Sequence, residues 1–142
     1  MLSIIIPVYN EVKTIDKVVS KIFEIKNIKK QIIIVDDGSN DGTSIKLKKL
    51  KKKYKIDKII FSKYNHGKGH AIRLGQKFIT KKFTIIQDAD LEYNPKDYSK
   101  ILKVLKNKKF KVVYGSRVLN TNRYSNNNFT SNVRVFANHI LT

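Results

Sequence analysis

The chain has 142 residues, enough for one domain with a real core, and its apolar residues (41%) come in short runs between turn residues, which excludes a disordered chain. With no cysteine, disulfides and thiolate metal sites are excluded, and no apolar run approaches the ~18–20 residues that span a bilayer. The charge is strongly basic, 30 Lys and Arg against 11 Asp and Glu for a formal +19, a field that draws nucleic acid, anionic headgroups or phosphorylated substrates.

Most of that excess is lysine scattered on predicted helix surfaces (such as Lys46, Lys48, Lys49, Lys51, Lys52 and Lys53), which reads equally well as a solvated face. Arginines interleaved with aromatics are scarce, so nucleic acid is not the expected partner. The N-terminus lacks a basic n-region and a long enough apolar stretch for a signal peptide, which predicts a cytoplasmic location.

In chain order, Leu2–Pro7 predicts a strand buried on both faces, because Ile4, Ile5 and Ile6 form an uninterrupted β-branched run and Pro7 stops it. Asn10 is the expected N-cap of a first helix, with Glu11 at its positive end and Val12, Ile15, Val18, Val19, Ile22 and Phe23 on its packed face. A second buried strand, Gln31–Val35, runs into Asp36-Asp37-Gly38-Ser39-Asn40-Asp41-Gly42-Thr43. There Gly38 and Gly42 permit positive φ, and Asp41 or Thr43 can cap the next helix, whose stripe is Leu47, Leu50 and Tyr54. A capped turn needs one acid, not three, so bunched carboxylates imply a cation or hydrogen-bond donors nearby.

Lys58–Ser62 predicts a third strand, followed by Asn65-His66-Gly67-Lys68-Gly69-His70-Ala71-Ile72-Arg73-Leu74-Gly75. This is neither a P-loop nor a dinucleotide fingerprint, since Gly75 lies six residues after Gly69. It reads as a basic loop opening a helix packed through Ala71, Ile72, Gly75, Phe78 and Ile79, with a start suited to anions. His66 and His70 lack the spacing of a zinc site and read as loop or cap residues. Phe83–Gln87 predicts a fourth strand that delivers Asp88-Ala89-Asp90-Leu91-Glu92-Tyr93-Asn94-Pro95. Side chains i and i+2 of an extended backbone point the same way, so Asp88 and Asp90 can offer hard oxygens to one Mg²⁺ or Mn²⁺. Taken alone, such a triplet also reads as a solvated turn.

Pro95 opens a helix with Tyr98, Ile101, Leu102 and Leu105 inward, and Lys111–Tyr114 predicts a fifth strand ending at Gly115-Ser116-Arg117. An Asn-rich loop follows, and helix-like periodicity returns over Ser131–Thr142 through Val135, Phe136 and Ile140. The expected fold is therefore α/β, a mostly parallel sheet with helices on both faces and polar motifs at the carboxyl ends of strands one, two, four and five, where open sheets bind ligands.

Five motifs in this order, Pro7-Val-Tyr9-Asn-Glu11, Asp36 to Thr43, Asn65 to Arg73, Asp88 to Pro95 and Gly115-Ser-Arg117, resemble the glycosyltransferases of family 2. The likeness is strongest to the branch that transfers mannose or glucose to dolichyl or polyprenyl phosphate. It implies a Rossmann-like GT-A fold, with residues 1–117 as the donor domain and 118–142 as the start of an acceptor side. It also implies a metal-dependent, inverting hexose transfer from a GDP-mannose or UDP-glucose type of donor to a polyprenyl phosphate.

On that resemblance Pro7, Tyr9, Glu11, Val35 and Asp37 surround base and ribose. Asp88, Ala89 and Asp90 hold the diphosphate and a Mg²⁺ or Mn²⁺, with Glu92 a further ligand. Lys68 and Arg117 meet phosphate, Asp90 and Arg117 serve catalysis, and Arg134 corresponds to an acceptor-phosphate arginine. The implied setting is the inner face of an anionic membrane and cell-envelope polysaccharide synthesis. Relatives continue well beyond this length, so a truncated chain is expected. Two other outcomes fit the same donor motifs, another acceptor such as a saccharide, or a remnant that binds donor without turnover.

Overall fold

Four short apolar runs set the architecture. In the computed structural model, which describes residues 1–106 and 111–113, they are β1 (Leu2–Val8), β2 (Lys30–Asp36), β3 (Lys58–Phe61) and β4 (Phe83–Ile86). All pair in parallel in the order β3-β2-β1-β4. Between them lie α1 (Ile15–Glu24), α2 (Thr43–Lys53) and α3 (Lys68–Gln76), and after β4 a 3-10 turn, Pro95–Asp97, leads into α4 (Tyr98–Lys106). These elements lie within one compact unit, Met1–Lys111.

β1 and β2 are buried along nearly their whole length, as the isoleucine runs require. Alternation divides their side chains between two layers. Ile4, Ile6, Ile32 and Ile34 pack with Val18, Val19 and Ile22 of α1, Leu47 of α2 and Leu102 of α4. On the other face Ile33 and Val35 meet Ala71 of α3. Chain direction across the sheet reverses at β1, so the crevice beyond the carboxyl ends of β1 and β4 is the expected ligand position in a fold of this kind.

Pro7 does not end β1, which continues to Val8 in register with Asp36. The Ile5 carbonyl accepts from Gln87 N on the β4 side and that of Val8 from Asp37 N on the β2 side. Alternation therefore turns the Pro7 nitrogen toward β4, whose pairing has already stopped at Ile86, and the absent N–H costs no ladder bond. α1 also departs from expectation, starting at Ile15 behind Thr14. Asn10 is no cap. It adopts φ +56°, and its side chain accepts from Asn40 N while Ser39 Oγ accepts from Asn10 N. Residues 111–113 carry no strand, and Tyr114 lies outside the described residues. No helix among the described residues is long and apolar enough to cross a membrane.

Gly75 lets α3 approach the sheet, since a Cβ there would stand 2.8 Å from Cγ2 of the buried, β-branched Ile5. Gly69, in the same helix, would meet only Arg73 Nη1 at 3.6 Å. Gly75→Ala should lower stability by about 1–2 kcal/mol, overpacking outweighing the helix-propensity gain, whereas Gly69→Ala should be neutral or gain up to about 1 kcal/mol. Urea unfolding of both variants checks the contrast.

Candidate active site

The carboxyl ends of β1, β2 and β4 and the start of α3 enclose a cleft of about 290 Å³. Of the residues singled out in the sequence, Pro7, Tyr9, Glu11, Asp37, Lys68, Asp88, Ala89 and Asp90 line it. Val8, Asn65, Gly67 and Ala71 line it as well and were missed, being apolar or loop residues without a charge to mark them. Val35 does not reach the cleft. It is fully buried beneath α3, one pleat short of the strand end. Glu92 is exposed on the following loop, and Arg117 and Arg134 lie outside the described residues.

The adjacent acids of Asp36-Asp37 are separated by the pleat, which sends them to opposite faces. Asp36 turns toward α2, where it accepts from Ser39 N and Ser44 Oγ and serves the turn rather than the cleft. Asp37 turns toward α3, and its Oδ2 accepts from the amides of His66 (2.9 Å) and Gly67 (2.7 Å). Its Oδ1 is buried without a hydrogen-bond partner, 3.8 Å from His70 Nδ1. Gly38 makes the intervening turn possible, with φ +78° and a Cβ position only 2.6 Å from the Tyr64 backbone.

Gly42, at φ +95°, is the N-cap of α2, and Asp41 before it bonds the first helical amide. Its Oδ1 accepts from Thr43 N and Oγ1, and its Oδ2 from Val12 N, while the Thr43 hydroxyl accepts from Glu11 N. Burial works against the Asp41 carboxylate, but these donors outweigh it and hold its pKa below the ordinary value. The donors expected around three bunched acids are thus mostly backbone amides and hydroxyls.

Beyond Ile86 the chain turns at Ala89 and Asp90, and both carboxylates still reach the cleft wall. Asp88, on the α3 side like Ile86, pairs with Lys68 Nζ at 2.6 Å. Asp90 Oδ1 accepts from Glu92 N. The loop is fixed from behind by a residue that sequence reasoning passed over. Gln87 is buried against α4, donates to the Asp88 and Tyr93 carbonyls, and accepts from the Tyr98 hydroxyl at 2.7 Å. A glutamine ending an apolar strand was the available signal. Burial pushes the Tyr98 phenol well up, so it stays a donor.

Asp88 and Asp90 suit a divalent ion in the manner of Mg²⁺, which takes one or two carboxylates and completes its shell with water and phosphate. Asp88 already clasps a cationic group with both oxygens. Among the described residues no group of three or more Asp, Glu or His gathers into a metal cluster, so Glu92 does not join the pair in this arrangement.

The family model described as "Glycosyl transferase family 2" matches residues 3–140. The chain is 30% identical over 125 residues to the dolichol-phosphate mannosyltransferase of Pyrococcus furiosus, covering 87% of this chain and 35% of that protein. It is 30% identical over 133 residues to the dolichyl-phosphate beta-glucosyltransferase ALG5D of Trichomonas vaginalis, covering 85% and 41%. Among solved structures, mannosyltransferase PcManGT from Pyrobaculum calidifontis, in complex with GDP-Man and Mn²⁺, superposes with TM-score 0.67 at 24% identity over 73% of this chain and 32% of that one. The chain spans about a third to just over half of the length of the curated relatives it matches.

Tyr98→Phe should cost about 1–3 kcal/mol in urea unfolding, because the buried Gln87 carbonyl loses its donor. Asp41→Asn should destabilise the chain at neutral pH. Because the folded Asp41 carboxyl has a lowered pKa, its contribution is present above the ordinary carboxylate range and lost as pH falls through the lowered value. The stability gap between Asp41→Asn and the parent should therefore shrink as pH is brought to about 3, measured by unfolding at each pH.

Proposed function

Because the chain belongs to glycosyltransferase family 2 and has its GT-A fold, we propose that it forms the donor half of an enzyme moving a hexose from a nucleotide-sugar to a polyprenyl phosphate. The observation that carries this is the meeting of Asp37, Lys68, Asp88 and Asp90 in one cleft at the sheet's switch point. Similarity to two dolichyl-phosphate glycosyltransferases supports the acceptor class.

Asp37 lines the cleft and is the acid we assign to a base N–H or a ribose hydroxyl, while its Oδ2 stays on the amides of His66 and Gly67. Pro7 and Tyr9 line the same cleft. Next to Asp37, Lys68 and the amino terminus of α3 favour the negative charge of a diphosphate. Asp88 and Asp90 would hold a Mg²⁺ or Mn²⁺, which when bound supplies Lewis-acid neutralisation of a leaving diphosphate. The mannosyltransferase with GDP-Man and Mn²⁺ supports that use of a divalent ion.

In the transfer, an acceptor phosphate oxygen forms the new bond at the anomeric carbon as the sugar–diphosphate bond breaks, its electron pair leaving on the diphosphate. A phosphate acceptor arrives anionic, so this chain need supply no strong general base. Residues 1–117 form the donor domain in this reading, with Arg117 and Arg134 contacting phosphate and Glu92 supporting the metal site. The net charge of +19 favours an anionic membrane surface at the cytoplasmic side, each basic residue near it contributing ~1 kcal/mol.

The test is transfer of radiolabelled sugar from a GDP- and UDP-sugar panel to polyprenyl phosphate by the complete gene product with Mn²⁺. Activity should fall by at least about 100-fold in Asp88→Asn and Asp90→Asn, in keeping with loss of transition-state charge stabilisation. Transfer to a saccharide alone would replace the acceptor assignment, and nucleotide binding that ignores both substitutions would overturn the donor site.

A further inference from the structure

Lys68 opens α3, and its ammonium stands 2.6 Å from Oδ1 and 2.7 Å from Oδ2 of Asp88. Bridging both oxygens, it takes the place that a cation chelated by Asp88 would take. The two cannot occupy that place together, because like charges a few ångströms apart repel and the lone pair of each oxygen that faces it is already engaged. With Lys68 present the Asp88–Asp90 pair carries a net charge of −1, and without it −2.

Resting on the donor-site reading above, the geometry points to Lys68 as a resident counter-ion. It holds Asp88 while the cleft is empty and moves to the donor's diphosphate when that arrives, releasing Asp88 for the divalent ion. The exposures suit such an exchange. The Asp88 side chain is only 18% exposed and gains from a permanent partner, whereas that of Lys68 is 58% exposed on a flexible stem and leaves readily. Among the described residues no other ion pair reaches Asp88 or Asp90.

The destination is close at hand, because Lys68 lies in the first turn of α3, where backbone N–H groups also favour phosphate. One lysine thereby links two ligands, the diphosphate freeing the carboxylate that the metal requires. By reciprocity the metal raises nucleotide affinity by the same factor.

Mn²⁺ is titrated against the parent, Lys68→Met and Lys68→Gln, reading free Mn²⁺ by electron paramagnetic resonance, alone and with GDP or UDP. Both variants should bind Mn²⁺ alone about twofold to fivefold more tightly than the parent. Nucleotide should raise Mn²⁺ affinity strongly in the parent and much less in either variant. Unchanged or weaker binding of Mn²⁺ alone in both variants, with their circular dichroism intact, overturns the counter-ion role. That failure is distinct from failure of the donor site itself, which would appear as parent Mn²⁺–nucleotide binding insensitive to Asp88→Asn and Asp90→Asn, or as no nucleotide binding, and would overturn both readings.

Discussion

Two backbone amides, those of His66 and Gly67, converge on one oxygen of Asp37, and the shape of the cleft follows from that contact. It ties the end of β2 to the start of α3 across a loop that has no regular structure of its own. Because α3 is fixed there, Lys68 in its first turn comes within reach of Asp88 at the end of β4, and three separate segments share one rim. Hydrogen bonds to an ionised acceptor are worth about 1.5–3 kcal/mol each, enough to hold a loop of this length. The same contact consumes one Asp37 oxygen and leaves the other buried without a hydrogen-bond partner, 3.8 Å from His70 Nδ1.

The strands could be read from the sequence because isoleucine runs bounded by turn residues have few alternatives to burial in a parallel sheet. The Asp88–Asp90 wall was legible for a related reason, since a polar triplet directly after an apolar run must lie near a strand's carboxyl end. What escaped depends on parity and on contacts distant in sequence. The spacing of Asp36 and Asp37 says nothing of which faces they take until register with β1 is known, and Val35 is drawn under α3 by the same alternation. The first helix was placed too early because Asn10 looks like a cap, whereas its backbone and side chain bond to Ser39 and Asn40, 29 and 30 residues away. Gln87 and Tyr98 escaped because a helical stripe read as apolar packing conceals a hydroxyl bond across it.

Charge is arranged against its own average. The chain carries +19, yet among the described residues the cleft wall includes Glu11, Asp37, Asp88 and Asp90 and only one lysine. The lysines of α2 lie largely on its exposed side, and several in the chain rest over aromatic rings, as Lys48 does over Phe61 and Lys58 over Phe78. A cation–π contact of that kind at an exposed site is worth about 0.5–1 kcal/mol, so these lysines have packing roles besides their field.

An acidic pocket inside a basic surface is poorly matched to a bare polyanion and poorly matched to a bare cation. The far field attracts the first while the near carboxylates repel it, and the reverse holds for the second. In the donor-site reading proposed above, a metal–diphosphate complex would resolve the conflict, its cation meeting Asp88 and Asp90 and its remaining negative charge meeting Lys68 and the α3 terminus. The near-field interactions act over a few ångströms, where they outweigh a surface potential screened within about 8–10 Å by salt. The sign of the wall therefore decides what enters, and the sign of the surface decides how often it arrives.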